Sequence, residues 1–232
     1  GGGKRIRPTL LLLACEAYGG NVQDALPAAA AVEMFHNFTL LHDDIMDNAE
    51  VRRGKPSVYA SWGNNVAILS GDAMMICSYR LLSKVPSEKL ASIMEIFTTT
   101  ALQVCEGQQY DMDFESRQKV SVVEYMHMIE LKTSVLLAGA AAIGAVLGDA
   151  SEEDCRQIYR YALELGLAFQ LQDDLLDSYG TQEELGKRIG GDILEGKKTC
   201  LMLNAMSRAT EEDREVLRST HLDKSLSEDE KI

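Results

Sequence analysis

Two groups of aspartates carry the strongest chemical signal in this chain: Asp43, Asp44 and Asp47 in one, Asp173, Asp174 and Asp177 in the other. Each follows an apolar run (residues 38–41 and 163–171) that reads as the end of a helix. Three carboxylates at that position sit on the negative end of the helix macrodipole. Residues four apart share a face, so Asp43 and Asp47 point the same way, about 6 Å apart along the axis. Folding gains nothing from this crowding, and the chain does it twice. A hard divalent cation would relieve it, because Mg²⁺ takes carboxylate oxygens and fills its remaining positions with water and substrate phosphates. The expectation is two facing walls of a magnesium–diphosphate site.

The elements that must position these carboxylates read as helices throughout. The four prolines, Pro8, Pro27, Pro56 and Pro86, fall at expected boundaries, and the segments between them repeat with helical rather than strand periodicity. Pro27 is expected to open the helix that ends at Asp47. Ser87, Ser121-x-x-Glu124 and Ser151-x-x-Asp154 mark further starts, the last two as capping boxes. Gly19-Gly20, Gly148 and Gly180 mark stops. With 232 residues one domain is the default, and 46% hydrophobic against 25% charged residues is an ordinary globular balance. A net charge of −13 argues against nucleic-acid binding. Five cysteines without a CxxC pair suit reduced, mostly buried thiols of a cytoplasmic protein. The longest apolar stretch, residues 135–147, is 13 residues rich in Ala and Gly, too short to span a bilayer and suited to close helix packing.

Cations accompany every aspartate group. Lys4, Arg5 and Arg7 lie in a glycine-rich opening that lacks P-loop spacing. Arg52-Arg53-Gly54 follows Asp47 closely enough to return towards it, Lys132-Thr133 falls within a helical stretch, and Lys187, Arg188, Lys197 and Lys198 follow the second group. Taken singly each is more often a solvated surface charge. Together they suggest two anionic groups, one bridged by metal and one held directly, with arginine used for bidentate phosphate pairing.

On these motifs the chain resembles the trans-prenyltransferases, the polyprenyl (isoprenyl) diphosphate synthases. Gly2-Gly3-Lys4-Arg5-Ile6-Arg7-Pro8, His42 to Asp47 with Arg52-Arg53-Gly54, Lys132-Thr133, Phe169 to Asp177 and Gly186 to Asp192 occur in the family's order. The resemblance covers nearly the whole chain. It implies an all-α, single-domain bundle of long helices around a central cavity, the isoprenoid synthase type I fold, acting as a homodimer. It also implies Mg²⁺-dependent, head-to-tail condensation of isopentenyl diphosphate with an allylic diphosphate, with three Mg²⁺ per active site. Asp43, Asp44 and Asp47 match the first metal wall; Asp173, Asp174 and Asp177 match the second. Arg52, Lys132, Lys187 and Lys197 match the grip on the allylic diphosphate, and Lys4, Arg7, His36 and Arg53 the isopentenyl diphosphate site. Thr133 and Gln170 match groups that turn oxygen dipoles on the allylic cation. Gln108 and Asp111 match partners behind them.

In the family, bulk just upstream of the first aspartates halts the growing chain. Phe38 and Thr39 lie about 7.5 and 6 Å below Asp43, so the single large residue predicts a C15–C20 product, with a longer-chain synthase as the alternative. A terpene cyclase on the same fold is disfavoured by the intact Asp173-to-Asp177 motif, and a non-catalytic partner subunit by both intact walls. A di-iron carboxylate bundle built on Glu33-x-x-His36 and Glu124-x-x-His127 is a rival from another class, although it leaves six aspartates unexplained and Ser121 claims Glu124 as a cap. Relatives carry a helix before the opening glycines and more chain after Lys197. Residues 1–232 are therefore expected to be a polyprenyl synthase domain short of those terminal segments.

Overall fold

A computed structural model of the protein describes residues 3–117, 119–180, 191–194 and 196–222, and apart from one short hairpin the regular elements among them are helices. The all-α expectation holds. The chain forms two compact units, Gly1–Leu102 with Val135–Leu163, and Gln103–Ser134 with Glu164–Ile232.

In the first unit, α1 (Ile6–Ala17) carries Pro8 in its opening turn, where a missing N–H removes no helical bond. Asn21 caps α2 (Val22–Met46) by accepting from the Gln23 N–H at 3.0 Å. That cap, with Asp24 in the first turn, starts the helix before Pro27, which lies inside it rather than opening it. At the other end Asn48 adopts the left-handed conformation (φ 51°), and the Ala49 N–H closes back on the Asp44 carbonyl. The chain then enters a hairpin that sequence periodicity does not reveal, β1 (Val51–Arg52) against β2 (Lys55–Pro56). Arg53 and Gly54 both have positive φ, as a two-residue mirror-image turn requires. After α3 (Val58–Trp62) come α4 (Asn64–Leu82) and the first half of α5 (Ser87–Ser116). Edge-on ring contacts from Phe97 to Phe35 (5.3 Å) and Tyr79 (5.5 Å) join α2, α4 and α5. Helix α7 (Val135–Leu147) is buried almost throughout, and its glycines let α1 come close: a Cβ on Gly144 would lie 2.1 Å from the Leu11 carbonyl. The unit closes with the start of α8 (Glu152–Tyr179), whose Ala162 packs with Ala138 and Ala141.

In the second unit, α6 (Val122–Ile129) opens with the expected capping box between Ser121 and Glu124. It runs into a π-helical turn, Glu130–Ser134, with no sequence signature. The end of α5, the end of α8, α9 (Gly191–Leu194), α10 (Cys200–Arg208) and α11 (Glu211–Leu222) complete it. Its core gathers Phe114, Tyr125, Met128 and Ile129 against Leu167, Leu171 and Leu203.

Two sequence expectations need correcting. The apolar run of 13 residues is part of a continuous helical stretch, Val122–Leu147, that is long enough to cross a membrane; 78% of its most apolar window is buried within the protein, as in a core helix. The five cysteines are unpaired, but only Cys15 is buried and Cys105 is exposed.

Candidate functional site

The first aspartate group sits on the last turn of α2. Helical phase splits its members: Asp43 is partly accessible, Asp44 is buried (5% exposed) and Asp47 is exposed. The hairpin returns Arg52 to them. Its Nε donates to Asp44 Oδ1 at 2.7 Å, and Nη2 lies 2.6 Å from Asp44 Oδ1 and 3.3 Å from Asp43 Oδ2. Burial alone would lower the Arg52 pKa, but the Asp44 bond and charge outweigh it and the net direction is up. A guanidinium therefore relieves much of the like-charge strain that a cation was expected to relieve.

Beside it in the same unit is a basic cluster. Arg7 Nη1 lies 3.3 Å from His36 Nε2, and the Arg53 guanidinium rests on Gly3, where a Cβ would approach to 2.9 Å. Burial first, then Arg7, Arg53, Arg52 and Arg5, push the His36 pKa down to about 3. The imidazole is thus neutral and accepts from Arg7; it steers a cation rather than being one. Burial also draws the Arg7 pKa down to about 10, against the charge of Glu33 and with that of Arg53. Arg7 Nε is buried with no hydrogen-bond partner among the described residues. Lys4, on the same entry segment, is exposed. Sequence reasoning gave no role to Arg5 or Asn37, which both engage Glu33. That engagement, with Glu124 tied to Ser121 and Arg117, leaves the di-iron reading without its glutamates.

In the second unit, α8 carries Asp173, Asp174 and Asp177, the helix continuing past them to Tyr179. Only Asp173 is appreciably accessible, since Asp174 is 4% and Asp177 0% exposed. Asp177 Oδ2 accepts the Asp192 N–H at 2.9 Å, a bond from the turn of α9. Asp174 accepts on both oxygens, from the Tyr125 hydroxyl and from Gln170 Nε2 at 3.0 Å. Burial raises its pKa, partly countered by those donors. Gln170 Oε1 in turn accepts from Thr133 Oγ1 at 3.2 Å. Lys132 and Thr133 project from the π-turn, and Lys132 Nζ lies 2.5 Å from Asp111 Oδ2. A π-turn shifts following side chains round the axis and recurs at functional sites. Gln108 is half-buried one helical turn before Asp111. Lys197 lies 3.9 Å from Asp192. Lys198 instead binds the Phe114 carbonyl at 2.6 Å, which makes it a cap for α5 rather than a cation of the site. Lys187 and Arg188 lie outside the described residues.

Phe38 is 8% exposed, its ring 5.4 Å from Phe35 and 4.7 Å from His42, while Thr39 turns its hydroxyl back to the His36 carbonyl. His42 lies over Gly71, with Nε2 3.3 Å from the Ile68 carbonyl. Among the described residues no three His, Cys, Asp or Glu side chains form a ready-made metal cage. The accessible aspartates, Asp43, Asp47 and Asp173, offer carboxylate oxygens, a donor type that fits a hard cation sharing its shell with phosphate.

Residues 1–232 match the polyprenyl synthetase family model. The geranylgeranyl diphosphate synthase of Methanosarcina mazei is 48% identical over 91% of this chain and 66% of its own length. A crystal structure of a geranylgeranyl pyrophosphate synthase superposes with a TM-score of 0.94 at 48% identity, over 99% of this chain and 70% of that one. The Corynebacterium glutamicum geranylgeranyl pyrophosphate synthase, solved with isoprenyl diphosphate and magnesium, gives 0.89 at 29% identity, over 99% and 72%. The chain spans about two thirds of the length of the curated relatives it matches.

Proposed function

The chain belongs to the polyprenyl synthetase family, and on that premise we propose that it condenses isopentenyl diphosphate head-to-tail with an allylic diphosphate, releasing diphosphate and a C15–C20 all-trans prenyl diphosphate. The observation that carries this reading is the pairing, in one unit, of accessible Asp43 and Asp47 with a part-buried Arg7–His36–Arg53 cluster. One half suits a metal-bridged diphosphate, the other a diphosphate gripped directly.

Asp43, Asp47 and Asp173 are the carboxylates we assign to Mg²⁺; Asp44, Asp174 and Asp177, buried and bonded, shape the walls that hold them. When bound, Mg²⁺, at three ions per site, would supply positive charge to the departing diphosphate oxygens. Arg52 keeps donors beyond those it gives Asp44 and Asp43, and we assign it to the allylic diphosphate, as we do Lys132, Lys187 and Lys197. Lys4, Arg7 and Arg53 bind the isopentenyl diphosphate, with neutral His36 orienting Arg7. Thr133 and Gln170 present oxygen to the allylic carbon as its C–O bond breaks. The isopentenyl double bond then attacks that carbon, and a proton leaves to the departing diphosphate. No side chain need become covalently attached.

The working form in this reading is a cytoplasmic homodimer. Its support is an apolar stripe left exposed on α4 by Val66, Leu69 and Ile76, with Leu102 of α5. The direct test is incubation of the full-length protein with labelled isopentenyl diphosphate and each allylic starter, with and without chelator. Metal-dependent C15–C20 products are expected. Longer products would make it a longer-chain synthase, and cyclised hydrocarbon would overturn the reading.

A further inference from the structure

Tyr125 was not among the residues that sequence reasoning singled out, yet it begins a side-chain relay in the second unit that runs through Asp174 and Gln170 to Thr133. It is 4% exposed in the core beneath α8, and its hydroxyl donates to Asp174 Oδ2. Asp174 Oδ1 takes an amide hydrogen of Gln170 at 3.0 Å, and Gln170 Oε1 takes the Thr133 hydroxyl hydrogen at 3.2 Å. The Cys200 backbone N–H adds a further bond to Asp174.

Each link fixes the polarity of the next. An ionised carboxylate only accepts, so it must face the NH₂ side of Gln170. The amide oxygen then faces Thr133, and the Thr133 hydrogen is spent on it. On the side turned to Thr133 the amide presents its oxygen and Thr133 its lone pairs, while the second amide hydrogen of Gln170 stays on the nitrogen that faces Asp174. A developing cation needs that polarity; a free N–H or O–H would present the wrong end of the dipole.

We propose that Tyr125 is a positioning residue for the reaction: its hydroxyl pins Asp174 so that Gln170 and Thr133 both offer oxygen, not hydrogen, to the allylic carbon. The inference rests on the functional reading above for the identity of the cation. Without the hydroxyl, the buried Asp174 carboxylate loses its side-chain donor on Oδ2. The carboxylate then turns towards other donors and leaves Gln170, and the amide and the Thr133 hydroxyl are free to reverse.

The test combines Tyr125→Phe, Thr133→Val and the double variant in single-turnover and steady-state assays on the full-length enzyme. Tyr125→Phe should lower kcat about 10- to 100-fold, with both KM values within about threefold of wild type, the pattern of a lost transition-state interaction. Added to Thr133→Val, the same change should cost clearly less than it does alone, since only Gln170 is then left for the relay to orient. Fully multiplicative losses, or a rise in KM with kcat unchanged, would overturn the proposal. A readout independent of turnover is the Gln170 side-chain amide in the NMR spectrum. Slow hydrogen exchange in wild type, lost in Tyr125→Phe, supports the relay; rapid exchange in wild type overturns it. That wild-type measurement stands even if the variant fails to fold. Absence of prenyl transfer by wild type would refute the functional reading while leaving the relay's own test intact.

Discussion

Gly107 offers a perturbation whose size follows from the structure. It lies on α5 against the π-turn, and a Cβ there would sit 2.3 Å from the Lys132 nitrogen and 2.7 Å from Leu131 C and Lys132 Cα. These are backbone atoms, so no rotamer change clears them. Gly166 of α8 also comes close to the turn, its Cβ position only 2.7 Å from Ser134 Cα. In Gly107→Ala the turn, or α5, must shift by about 1 Å, a displacement that in a preorganised site costs on the order of 10²-fold in rate. Overpacking costs about 1–3 kcal/mol. The better helix propensity of Ala returns about 1 kcal/mol, leaving roughly 0–2 kcal/mol. For a chain of this size that is a fall in Tm of roughly 0–8 °C. The protein should therefore stay folded and lose turnover out of proportion to stability. Gly139→Ala is the control: its Cβ would meet the Thr100 side chain at 2.6 Å, within the other unit. Circular dichroism with thermal melts would report the fold, and labelled isopentenyl diphosphate incorporation the turnover. If Gly107→Ala kept kcat within about threefold of wild type, the π-turn would not be positioning Lys132 and Thr133 as argued.

Asp43→Ala and Asp173→Ala should each cut Mg²⁺-dependent incorporation by orders of magnitude while the helical spectrum survives; undiminished turnover in either would remove that residue from the metal assignment. Arg7→Ala should raise the KM for isopentenyl diphosphate, and Arg52→Ala should act on the allylic substrate; the reverse pattern would show the two diphosphate sites exchanged. Burial and the surrounding arginines hold the His36 pKa near 3 against 6.5 when unfolded, so the unfolded chain binds the extra proton and stability falls as pH drops below about 6.5. His36→Gln should flatten that acid limb of the denaturation midpoint, and an unchanged slope would mean His36 is already protonated in the folded protein. Phe38→Ala should lengthen the products; a lower Tm with an unchanged product spectrum would assign Phe38 to the core alone.

Much of the fold was legible because its signals are local. The Ser121–Glu124 box, the stops at Gly19-Gly20, Gly148 and Gly180, and the small-residue face of α7 appear where propensity and spacing put them. The misses have specific causes. Pro27 is a strong punctuation mark, but Asn21 and Asp24 had already started the helix and outweigh one missing bond. The hairpin carries two residues per strand, too few for alternation to register. The π-turn is set by the packing of Gly107 and Gly166 around it, which only the folded chain brings together.

The candidate site shows the same division between local and long-range information. Successive residues on a helix are turned by about 100°, so adjacent aspartates cannot share a task. Asp43 and Asp47 face one way, and Asp44 must face another; the structure buries it under Arg52. Phase likewise separates Asp173 from Asp174, which turns into the core to meet Tyr125. That much is legible in the spacing, which already sets Asp43 and Asp47 on one face apart from Asp44. Asp177 is not legible there. It shares a face with Asp173 yet is fully buried, because a backbone N–H from Asp192, fifteen residues on, covers it. An identical triplet of letters thus divides its labour differently in the two places. On α2 two carboxylates stay accessible and one is held by an arginine; on α8 one stays accessible and two are buried, Asp174 against Tyr125 and Gln170, Asp177 against the Asp192 N–H. The two motifs should therefore differ in metal affinity, with the α2 group, which keeps two accessible carboxylates on one face, contributing more of the binding.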